Sequence, residues 1–315
     1  MHSLRFLAAS LSLGVIGFYG SEALFWTVPP AGLPALQVAG QALLTVLVYA
    51  LCAATGLSVV LASGCGGWRG VILGGALMGI SVEGAVVSTM YDAFPVQLVW
   101  TPLAWHSLLT AGIVFAASRW AAAGPLWRQI AVLVLSGLGF GFWGGYWVTE
   151  RPGLALTGPL PSLVYLGAAA ALAVAAQIAL DRLQPLRLPP RPVLWAAPML
   201  VLLIWLVQSA LAPAPQRLAG PVMALVTAWS MFRLGRGQVA SLGPAAPAWR
   251  HALGMALPLI AAPVAAALWS SEEPIPTNLI VLAITAPAGL GLWLWLLWRA
   301  YRSAASAPRK SSAPS

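Results

Sequence analysis

Apolar runs recur along the chain, each about as long as a bilayer crossing and each ended by a short segment of proline, glycine or arginine. A helix rising about 1.5 Å per residue needs roughly 20 apolar residues to cross about 30 Å of hydrocarbon. The runs predict ten such helices, over 5–27, 36–62, 71–91, 96–118, 129–149, 160–180, 193–212, 218–234, 252–270 and 277–298. The eighth is the shortest. Pro29-Pro30, Gly64 to Gly67, Pro125, Pro152-Gly153, Pro189-Pro190, Pro213 to Pro215 and Pro244 to Pro247 mark the breaks, because proline lacks an amide donor and its ring blocks the preceding turn. The predicted architecture is all-α: a polytopic integral membrane bundle of about ten helices. It forms one domain over 1–300, and the Ser-, Ala- and Pro-rich tail over 301–315 is expected to be disordered. The helices divide into two sets of five, 1–150 and 155–300, with no shared motif to support a repeat.

Composition agrees. Of the 315 residues, 60% are hydrophobic and 7% charged, with mean hydropathy +0.86. A soluble domain carries about 25% charged residues, so a water-soluble enzyme or binding module is excluded. The net charge of +9 does not indicate nucleic acid, because the arginines sit singly or in small groups in the connections. Their placement instead sets topology. Of the 16 basic residues, all but Arg151 and Arg217 fall on one side of the alternating spans. The positive-inside rule then places both termini in the cytoplasm, as expected for the inner (plasma) membrane of a bacterium. The first run continues through Ala23-Leu24-Phe25-Trp26, longer than the core of a signal peptide, and is expected to be a retained helix. Cys52 and Cys65 lie about 20 Å apart along one helix, beyond disulfide reach.

The few acidic residues then carry most of the functional signal, because a carboxylate in hydrocarbon is costly. Asp181 falls in a basic connection, Glu272 and Glu273 in an outer one, and Glu150 beside Arg151 reads as a surface ion pair. Glu22, Glu83 and Asp92 remain, all in the first half. Glu83 shares a helical face with Gly75 and Gly79, and small residues there let a neighbouring helix come close. Desolvation favours the neutral form of a carboxyl group, which is how proton-exchanging sites are tuned towards neutral pH. His106 is the natural partner. Counted from the turn near Ala93-Phe94, Glu83 is about ten residues down one helix and His106 about twelve up the next, so their depths differ by roughly 3 Å.

Residues 90–106 are the densest polar and aromatic run. Tyr91 and Asp92 stand at the turn, and Gln97, Thr101 and Trp105 share one helical face. A competing reading is an aromatic interface belt, with Asp92 capping a helix or lying in water. Glu22 lies about 7 Å below the outer end of the first span. Tyr146, with Phe142, Trp143 and Trp147, is expected to wall a pocket above Glu83 and His106. If a metal is bound, Glu22, Glu83 and His106 are its ligands. No HExxH, CxxC or phosphate-binding loop is present, so no cofactor is identified.

Three functions fit. A small-solute transporter or permease would exchange protons at Glu83, with His106, Glu22 and Asp92 nearby. An intramembrane enzyme on a lipid or lipid-linked substrate would use Glu83 or Asp92 as base and His106 as acid. A scaffold subunit would use the same groups as interhelical glue. The expected partners are the bilayer and a small-molecule or lipid substrate, with no nucleic acid. Ten spans in about 300 residues resemble the drug/metabolite transporter superfamily in helix count alone. A carrier path needs polar groups throughout its length, and the sequence shows few below Glu83.

Overall fold

The computed structural model describes residues 2–29, 32–150, 159–235, 241–271 and 275–305. Arg151, Arg236, Glu272, Glu273, Arg309 and Lys310 lie outside the described residues, as does the tail from 306. Ten long helices are described: α1 His2–Ala23, α2 Ala35–Ser63, α3 Gly67–Val86, α4 Val96–Ala122, α5 Leu126–Glu150, α6 Pro159–Leu183, α7 Arg191–Leu211, α8 Ala219–Leu234, α9 Ala248–Trp269 and α10 Thr277–Ala305. Nine of them are long and apolar enough to cross a bilayer. The tenth, α8, has 16 residues and continues from a 3₁₀ turn at Pro215–Leu218. The protein is a multi-pass membrane helix bundle.

Proline starts four of these helices. Pro34, Pro125, Pro190 and Pro247 each have φ between −53° and −59° and extended ψ. Each carbonyl accepts from the amide four residues on, as Leu194 to Pro190 at 3.0 Å. The ring fixes φ near its helical value, and the missing amide would have no intrahelical acceptor there. At the other end of α2, Gly64 adopts φ 66°, the left-handed cap that closes a helix and turns the chain.

Burial orders the bundle. In α3, 83% of the most apolar window is buried, against 17% in α7 and in α10. The α3 helix is therefore central, and α7 and α10 present leucines outward, where lipid replaces protein as the apolar neighbour. Two contact sets fix which helix ends lie together. Arg119, Asp181, Pro244 and His251 meet at one end. At the other, Tyr91 and Ser88 meet Arg217. The first is the arginine-rich end, and this grouping is the one that strict alternation of ten spans demands.

Candidate functional site

The α3 and α4 helices touch almost backbone to backbone. A Cβ at Gly79 would stand 2.7 Å from His106 Cβ and 2.8 Å from Pro102 Cα, and one at Gly75 would meet Ser107 Cα at 3.3 Å. This is the face that Glu83 shares, and the missing side chains are what let His106 reach it. His106 Nε2 and Glu83 Oε1 are 2.8 Å apart. His106 is fully buried, and the Glu83 side chain is 13% exposed. Thr89 donates to the other Glu83 oxygen. On its far side, His106 Nδ1 is 2.9 Å from Ser21 Oγ, which is 2.9 Å from Thr110 Oγ1. A short chain of hydrogen bonds therefore runs Thr89, Glu83, His106, Ser21, Thr110 and joins α1, α3 and α4.

Glu22 lies one residue beyond Ser21 and accepts from Tyr49 Oη at 2.9 Å. The Tyr49 ring lies 5.8 Å from that of His106, which brings α2 to the same place. Tyr49, Ser21 and Thr110 carry no charge, so the sequence marks them only as polar groups deep in apolar runs.

Glu22, Glu83 and His106 share a backbone peculiarity. They sit in π-helical segments, Tyr19–Ala23, Ser81–Val86 and Trp100–Ala117, with five-residue bonds such as Leu24 N to Tyr19 O and Val87 N to Val82 O at 2.9 Å. These are the π segments among the described residues. π turns within helices are rare and are frequently found at functional sites. In α4 the widened turns contain Pro102, which cannot donate to the Leu98 carbonyl.

Of the other predicted positions, one joins this network and the rest lie apart from it. Trp105 joins it, its indole donating to Ser21 O at 3.2 Å. Its ring also opens an aromatic cluster: Phe25 at 4.5 Å and Trp143 at 4.9 Å, then Tyr146 5.4 Å from Trp143 and Trp147 5.0 Å from Tyr146. Tyr146 is thus packed against rings, behind Trp105. Asp92 is exposed in the turn after Tyr91. Tyr91 is buried beneath the Arg217 guanidinium at 5.2 Å. Thr101 donates to its own helix at Gln97 O, and Gln97 Oε1 is buried without a protein partner.

The tertiary structure adds a second polar constellation at the arginine-rich end. Arg119 is fully buried. Its guanidinium donates to Asp181 and, at 2.8 Å, to Gln177 Oε1. The other Asp181 oxygen meets His251 Nε2 at 2.7 Å and accepts from Ala246 N at 2.9 Å. Asp181 is the last-turn residue of α6 and gathers α4, α6 and α9. The sequence places it in a basic connection, and nothing local shows that Arg119 and His251 converge on it.

Chemically, the first network can hold and pass a proton. With Glu83 ionised, Nε2–H of His106 donates to it and Nδ1 accepts from Ser21. Protonating Nδ1 reverses that contact, and Ser21 then donates to Thr110. Imidazole is suited to this because each ring nitrogen serves as donor or acceptor. Among the described residues, no three His, Cys, Asp or Glu side chains group as metal ligands. Glu83 and His106 spend on each other the lone pair and proton that ligation would need. No protein-family model, no curated protein and no solved structure matches this chain.

Proposed function

We propose that this protein is a proton-linked carrier of a small solute in the bacterial inner membrane, with both termini cytoplasmic and Glu83 and His106 as the proton-exchanging pair. The observation that carries the reading is the Thr89–Glu83–His106–Ser21–Thr110 chain. A buried acid–base pair bridging separate helices changes its interhelical bonds when it titrates, which couples charge to helix position. The π-helical segments that bear these residues support it, since π turns within helices are frequent at functional sites. The polar cluster around Asp181 supports it too, placing titratable groups at the opposite end of the bundle.

One observation favours the enzyme. Ser21, His106 and Glu83 are hydrogen-bonded in the order of a nucleophile, base and orienting acid. Ser21 is 3% exposed and its hydroxyl is already shared between His106 and Thr110. A nucleophile must reach substrate, so the carrier is the better fit.

The test is proton uptake into proteoliposomes, read by an internal pH dye under an imposed potassium diffusion potential, with and without a mixture of amino acids, sugars and amines outside. Uptake is expected from wild type and lost in Glu83→Gln. Wild-type uptake by the variant, or none from either protein under all conditions, refutes the proposal.

A further inference from the structure

Beside the Asp181 cluster lies a chamber of about 50 Å³, with Tyr19, Ser118, Gln129, Gln177, Arg250 and His251 in its wall. Three atoms of that wall have no protein hydrogen-bond partner: Tyr19 Oη, Gln129 Oε1 and Arg250 Nε. Their residues are 5%, 3% and 8% exposed. Polar groups this deep need a partner.

The character of these groups identifies the partner. Gln129 Nε2 donates to Arg250 O at 2.5 Å, which orients the amide and leaves Oε1 an acceptor. Arg250 Nη2 donates to Gly124 O at 2.6 Å, so Nε–H remains as a donor. The Tyr19 hydroxyl does either. An anion would suit the guanidinium and repel the Gln129 oxygen, and a cation the reverse. Water both donates and accepts. A single water needs at least roughly 10–15 Å³, so a chamber of about 50 Å³ has room for more than one.

Two lining residues are informative. His251 is bonded to Asp181, which also holds Arg119. Tyr19 is the first residue of the π-helical segment that carries Ser21 and Glu22, two and three residues further along α1. We propose that the chamber holds a short file of water and is the passage by which protons move between the arginine-rich end and the underside of the Glu83–His106 site. This passage rests on the proton-linked reading above; the presence of water does not. Each hop forms one O–H bond as another breaks, so one proton moves and nothing is oxidised or reduced. The titratable and charged groups facing the file are Tyr19, Arg250 and His251, with Asp181 and Arg119 behind His251.

Two measurements test it on the full chain in lipid. X-ray radiolysis makes hydroxyl radicals from bound water and marks side chains beside it. Leu133 and Leu257 line the chamber, and Leu61 and Leu194 are buried to a similar degree elsewhere. The first pair is expected to be modified at least tenfold faster than the second. Equal rates overturn the hydrated chamber, whatever the transport result. In the proteoliposome assay, Tyr19→Phe, which removes one oxygen, is expected to slow proton uptake about tenfold or more. Wild-type uptake in Tyr19→Phe, with none in Glu83→Gln, overturns the passage and leaves the carrier standing. Wild-type uptake in Glu83→Gln overturns both.

Discussion

Gly79→Ala tests the geometry on which the site depends. The added methyl would stand 2.7 Å from His106 Cβ and 2.8 Å from both the Cα and the carbonyl oxygen of Pro102. Carbon contacts settle at about 3.5–4 Å, so α4 must retreat by roughly 0.7 Å or more. Two of the three obstacles are backbone atoms, which cannot swing aside. The same retreat stretches the 2.8 Å Glu83–His106 contact to about 3.5 Å, the limit of a hydrogen bond. Overpacking costs about 1–3 kcal/mol, and losing a hydrogen bond to a charged group about 1.5–3 kcal/mol. The sum, about 2.5–6 kcal/mol, lowers Tm by roughly 5–24 °C at about 2–4 °C per kcal/mol. Thermal unfolding in detergent, followed by tryptophan fluorescence, measures it. Gly74→Ala is the control, because its methyl meets first a side-chain carbon, Cγ2 of Val60 at 3.1 Å, and backbone only at 3.8 Å; it is expected within about 1 kcal/mol of wild type. A Gly79→Ala protein melting within 2 °C of wild type, on the order of 1 kcal/mol or less, refutes the claim that this glycine is what lets the pair meet.

Further outcomes follow from the same contacts. Asp181→Ala leaves the fully buried Arg119 without its carboxylate and is expected to cost about 3–5 kcal/mol; a melt that shows less than about 1 kcal/mol would mean water reaches the guanidinium. Trp143→Ala removes a ring packed on Phe25, Trp100, Trp105 and Tyr146, for about 3–5 kcal/mol, whereas Trp295→Ala at a 38% exposed position should cost far less. Burial pushes the Cys65 thiol up to about 11, so at pH 8 roughly one molecule in a thousand carries the reactive thiolate, against about a quarter for a free cysteine. Maleimide should therefore label the folded protein about 200-fold slower than the unfolded chain, and faster as pH rises towards 11; rapid labelling at pH 8 would show that the loop after α2 opens.

Helix number, order and relative sidedness were legible in the residues because each depends on local quantities: run length, hydropathy, proline position and arginine placement. The bundle confirms them closely, down to the prolines that open α5, α7 and α9, whereas α2 opens at Pro34, beyond the Pro29-Pro30 break read from the sequence. The matched depths of Glu83 and His106 were legible for the same reason, since counting from a shared turn measures height in an antiparallel hairpin. Their contact was not, because whether two faces meet depends on helix rotation, here set by Gly75, Gly79 and the widened turns around Pro102. Asp92 shows the converse. Its neighbours in sequence made it a site candidate, and an exposed turn carries it into the open.

By itself the sequence determined that this chain crosses a membrane many times, which helix ends share a side, and which carboxylates are out of place in lipid. The tertiary structure alone decided that His106 lies between Glu83 and Ser21, that Tyr49 holds Glu22, and that Asp181 draws Arg119 and His251 into a second buried cluster. The reason is range. Hydrophobic transfer and helix capping act within a segment, whereas a buried charge finds its partner on whichever helix packing brings against it, at separations of 23 residues for Glu83 and His106 and 70 for Asp181 and His251.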